Sequence, residues 1–149
     1  MNYDGTVTYE SAIHDLLARI PDLVPLYREQ MDYLGDEELP YVVFGSFLIP
    51  VMERALEAHD YLRIEAICGY LEEAAVSAGH DAGLSLLLRV EIGEWLNGTS
   101  WENDLSASLG EETKRICRYV PGLGTQRAMR REEQMKRGKL ARMLDHFRS

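Results

Sequence analysis

The apolar residues of this chain recur at helical spacing and nowhere alternate as a paired strand would. Ile13, Leu16, Leu17 and Ile20 predict a first amphipathic helix, with Thr8 or Ser11 as its N-cap. Ile20-Pro21-Asp22 ends it, because a proline disfavours helix in the residue before it. Asp22 can cap a second helix with Pro25 in its first turn. Leu23, Leu26, Tyr27, Met31 and Leu34 form that helix's stripe, and Gly35 terminates it. A third helix is expected over residues 41–58. Pro50 lacks a backbone donor and clashes one turn back, so a kink or a split is expected near Ser46.

The stretch 60–96 organises the remainder. Ile64, Ile67, Leu71, Ala74 or Ala75, and Ala78 share one helical face, and Gly79-His80-Asp81 breaks the pattern. The helix that follows carries Leu84, Leu88, Ile92 and Trp95 on one face and Leu86 and Val90 on another. Two apolar faces call for neighbours on two sides, so this helix is expected at the centre of a stack. Short helices should follow Ser100 and Gly110. Glu111 and Glu112 sit at the positive end of the second, and Ile116, Cys117 and Val120 face inward. Pro121-Gly122-Leu123-Gly124 reads as a linker. Beyond it, Leu140, Met143, Leu144 and Phe147 give a helical tail one face to dock. The pattern predicts an all-α fold, with antiparallel helical hairpins stacked as a compact bundle or short solenoid. It divides into an acidic helical domain over 1–120 and a basic helical extension over 121–149. Residues 1–7 are expected to fray.

Charge sharpens this division. The 149 residues carry a net charge of −9. Up to Val120 there are eight basic and 22 acidic residues, a net of −14. From Pro121 onward eight basic residues face three acidic ones, a net of +5. At 46% hydrophobic and 28% charged, the composition is that of an ordinary globular domain. No run is long enough to span a membrane, and the first ten residues lack the pattern of a secretory signal, so a cytoplasmic location is expected. Cys68 and Cys117 sit among apolar neighbours and read as buried free thiols.

Most catalytic templates are absent. There is no P-loop, no C-x-x-C and no H-E-x-x-H, and Gly122-Leu123-Gly124 follows no strand. A di-iron helical bundle needs Glu three residues before a His. Ser11, Leu56, Ser77 and Met143 stand there for the four histidines. No cofactor and no metal is expected. Glu91 and Glu94, one turn apart on the central helix, are the candidate buried polar groups. A carboxylate metal enzyme built on them is the third-ranked function. The tail has eight cations but no aromatics interleaved with them apart from Phe147, and the body would repel a polyanion, so nucleic acid is not the expected partner. Docking of the tail on its own acidic body, or on a second copy's, fits the charges better.

The segments PDLVPLYREQ, LPYVVFGSFLIPVME, YLRIEAICGYLEEAAVSAGHDAGLSLLLRVEIGEWL and LGEETKRI, in that order, resemble a group of small all-helical bacterial proteins found beside polymorphic toxins. The likeness covers about Ile13 to Tyr119 and leaves the basic extension outside it. It implies a helical fold, no catalytic residues, and a role like that of the cognate immunity proteins. An acidic inhibitor would be steered to a basic toxin domain and cover it. The expected contacts are Asp36, Glu37 and Glu38 on an inter-helix loop, and Glu72 and Glu73 at a helix end. The alternative is a structural or regulatory adaptor that self-associates through its tail.

Overall fold

The computed structural model describes residues 6–148. The expectation for residues 1–5 lies outside them. Helix α1 spans Ala12–Arg19 and α2 spans Val24–Met31. Helix α3 runs over residues 40–57 and α4 over Tyr61–Ser77. Helix α5 covers residues 82–96, α6 Glu102–Ser106, α7 Glu111–Ile116 and α8 Leu123–Arg148. No strand occurs among the described residues. The class is all-α, as the periodicity predicts.

Local chemistry explains the boundaries. The backbone N–H of Ser11 donates to Thr8 Oγ1 (3.1 Å), and that of Thr8 donates to Ser11 Oγ (2.9 Å). This reciprocal box satisfies two N-terminal donors and makes Thr8 the cap of the turn that leads into α1. Val7, expected to fray, is instead fully buried and donates its N–H to Ser77 Oγ (3.0 Å). Asp81 separates α4 from α5. Its Oδ1 accepts from Leu84 N (3.0 Å) and its Oδ2 from Tyr9 N (2.9 Å), so one carboxylate caps α5 and ties down the N-terminal segment. Helices α3 and α7 end alike. Asp60 N bonds Ala55 O and His59 N bonds Leu56 O. Tyr119 N bonds Lys114 O and Arg118 N bonds Arg115 O. These are Schellman pairs, and they place His59 (φ 57°) and Arg118 (φ 52°) in the left-handed region usually filled by glycine.

The hub is α4, which packs against α1, α3, α5 and α7. Ile64, Ile67, Cys68, Tyr70, Leu71, Ala74 and Ala75 are all buried on it. Tyr70 lies among the largest buried side chains and donates its hydroxyl to Ala12 O (2.6 Å), which fixes α1 to the hub. This corrects the expectation for α5. Leu84, Leu87, Leu88, Ile92 and Leu96 are buried there, but Leu86 is 44% exposed and Val90 half-buried. The second apolar face of α5 borders solvent, so the centre of the stack is the helix before it.

Helix α3 is neither split nor stopped at Pro50. A π-helical segment, Phe44–Leu48, precedes the α-helical stretch Ile49–Glu57 and absorbs the missing donor as a change of register. A second π segment, Leu88–Gly93, interrupts α5, and the two pack against each other.

Two carboxylates act as internal clamps. Glu72 on α4 reaches the start of α7. Its Oε1 accepts from Thr113 N (2.9 Å) and Thr113 Oγ1 (2.9 Å), and its Oε2 from Glu112 N (3.2 Å). Burial alone would raise its pKa, but these hydrogen bonds from Thr113 and Glu112 hold it below the usual carboxylate value. Glu102, fully buried, does the same for α8. It accepts from Gly122 N (2.5 Å), Thr125 N (2.7 Å) and Tyr119 Oη (3.1 Å). Burial again opposes ionisation, and the amides of Gly122, Thr125 and Gly124 with the Tyr119 hydroxyl outweigh it.

The segment 121–124 is therefore a joint, not a loose linker. Gly122 turns at φ 87°, and Gly124 is packed so closely on Thr99 O, Leu96 O (2.9 Å from a would-be Cβ) and Glu102 that no larger residue fits. Arg127 Nη1 then donates to Asn97 O (3.3 Å) and Arg131 to Gly98 O, carbonyls at the C-terminal end of α5. Past this root α8 leaves the body. Residues 132–148 are all exposed, so this part of the tail does not dock on its own acidic domain.

Candidate functional site

Of the residues singled out for contact, Asp36, Glu37 and Glu38 remain fully available. They form an exposed loop between α2 and α3. Gly35 opens the loop at φ 59° with ψ −128°, a conformation only glycine adopts without strain. The turn carries the three acids over the outer face of α1 and α2. Together with Gly35 they border a groove of about 310 Å³ floored by Ile13, Leu17 and Tyr27 and flanked by His14. The Tyr27 ring is fixed edge-on to buried Phe47, with centroids 5.4 Å apart. Burial raises the Tyr27 hydroxyl's pKa and the Glu38 charge raises it further, so the phenol stays protonated and can donate. Tyr33 (72% exposed) and Leu39 extend the apolar surface on either side of the acids. An apolar floor with an anionic rim suits a cationic side chain whose stem lies on the rings while its head meets the carboxylates.

The other candidates are placed differently. Both Glu72 oxygens are engaged in the α7 clamp, so its expected contact role gives way to a structural one. Glu73 is exposed but ion-paired with Arg19, which also approaches Asp15 (3.6 Å). The acids at 36–38 and those at 72–73 thus do not make one cluster of free carboxylates. Glu91 is half-buried, and a Cβ added to Gly45 would come within 2.8 Å of its Oε2, so the carboxylate lies against the partner π segment. Burial and then the charge of Glu94 raise its pKa. Glu94 itself is exposed. Among the described residues, no group of three His, Cys, Asp or Glu side chains is arranged to hold a metal ion. Cys68 and Cys117 are buried and free, and burial pushes both thiols up to about 12.

Reading along the chain missed Glu102, Tyr119 and Gly124. Their signal is weak. Glu102 opens a five-residue helix, and the donors it serves lie about twenty residues further on.

Residues 13–122 match a domain of unknown function, DUF7674. The chain belongs to the DUF7674 family. The match begins inside α1 and ends at Gly122, where the backbone turns into α8, so the groove lies within the DUF7674 domain and the basic helix beyond it. No curated protein matches the chain, and no solved structure does. No helix among the described residues is long and apolar enough to cross a membrane.

Proposed function

We propose that this DUF7674 protein is a non-enzymatic binding module that neutralises a basic bacterial toxin domain by covering it. The observation that carries the reading is the groove of Ile13, Leu17 and Tyr27 under the unpaired acidic rim Asp36–Glu38, on a body of net charge −14. Like-charged acids crowded on one exposed loop repel each other. Opposite a cationic surface they speed encounter and set register. The resemblance of residues 13–119 to proteins found beside polymorphic toxins supports a toxin domain as the cation-bearing partner.

The test is co-expression with a candidate basic toxin domain, the product of the neighbouring gene first, followed by titration of the purified pair. A stable complex and protected cells are expected. Replacing Glu37 and Glu38 by lysine should slow association and abolish protection. Failure of the wild-type chain to bind or protect, or turnover of a small molecule by the chain alone, would count against it. The adaptor reading is favoured by one observation of its own, the exposed apolar face of α8.

A further inference from the structure

Helix α8 is a rod of 26 residues, about 39 Å at 1.5 Å per residue, fixed at one end and uncovered over most of its length. Leu140, Met143, Leu144 and Phe147 are spaced i, i+3, i+4, i+7 and are each between 47% and 78% exposed. That is the anchor pattern of a helix that lies in a groove. Lys136 lies along the stripe, Arg137, Lys139 and Arg148 border it and Arg142 lies behind it, so its occupant should be acidic around an apolar floor. The chain contains such a surface, the 36–38 groove with Tyr33 and Leu39 beside it.

A rod clamped by Glu102, Gly124, Arg127 and Arg131 cannot fold back onto its own domain. Two tails side by side would each bring a charge of +5 to the other. We infer that α8 of one copy seats its Leu140–Phe147 stripe in the Asp36–Glu38 groove of a second copy, and that two copies exchange tails reciprocally. Two-fold reciprocity closes the exchange at two copies; one stripe and one groove per copy without it would give an open head-to-tail array, seen as masses above the dimer. The inference goes beyond the toxin reading and needs no toxin, so either can fail while the other stands. If both hold, the tail shields the groove until a tighter basic partner displaces it.

The experiment uses the full chain in light scattering and sedimentation velocity from micromolar to hundreds of micromolar. Twice the 17.0 kDa chain mass is expected at the upper end, falling toward the monomer as salt is raised. Two variants follow, Leu144→Asp with Phe147→Asp, and Glu37→Lys with Glu38→Lys. All four side chains are exposed, and circular dichroism checks that each variant folds. Each alone should be monomeric. Mixed, they should pair, because the first keeps its groove and the second its tail. A monomeric wild type, a dimer indifferent to the loop reversal, or a mixture that stays monomeric would overturn the inference. So would a monomer whose tail instead sediments with anionic phospholipid vesicles.

Discussion

At the scale of single residues, carboxylates divide into those that build the fold and those that remain at its surface. Glu72 belongs to the first group. Removing it strands the N–H groups of Glu112 and Thr113 in a half-buried site, so Glu72→Ala should cost about 2 kcal/mol in denaturant unfolding. Its folded-state pKa lies below the ordinary 4.5, so its contribution is fully present above that value and is lost as pH falls through the folded value. Glu72→Gln should flatten that part of the acid limb of the stability profile. His59 makes the opposite case. It holds a left-handed position that glycine would occupy without strain, so His59→Gly should stabilise by about 0.5–1 kcal/mol despite losing an exposed contact with Tyr61. The Thr8 cap and the Asp81 break were legible because a cap and its donor stand three residues apart. The Glu72 clamp was not, since its donors lie forty residues away and nothing local distinguishes this glutamate from Glu73.

At the scale of elements, helix periodicity located most helices, and the failures share one cause. Pro50 signalled a disturbance near Ser46 correctly, but its form is a π segment facing another π segment, with half-buried Gly45 against half-buried Glu91, a pairing that only the fold brings together. The apolar Leu86 and Val90 suggested a covering neighbour, but Val90 only lines the hollow where α5, α7 and α8 meet. Glycines at 122 and 124 imitated a linker because composition cannot separate freedom from close approach. The root of α8 tests this directly. Gly124→Ala drives a methyl into the Thr99 and Leu96 carbonyls, and Glu102→Gln weakens the acceptor of three backbone amides. Each should speed hydrogen exchange at residues 122–125 at least tenfold, about 1.4 kcal/mol of local stability, while amides of α4 keep their protection.

At the scale of the whole molecule, the separation of charge visible in composition becomes a separation in space. The acidic domain closes around α4, and the cationic segment stands off it. The candidate groove was half legible. Its acids are consecutive in the chain, but its floor comes from α1 and α2, which periodicity described only as inward stripes. Because the 36–38 loop bonds little within the fold, reversing its charges should change unfolding stability by less than about 0.5 kcal/mol. Any effect on association would then belong to the surface, and equilibrium unfolding beside the binding titration separates the two.

The depth of the two sulfurs has a practical consequence. With both thiols protonated and enclosed at neutral pH, a maleimide dye should ignore the native chain. A single cysteine introduced at exposed Met135 would then carry the only label, and energy transfer between differently labelled copies would report how far apart their rods lie.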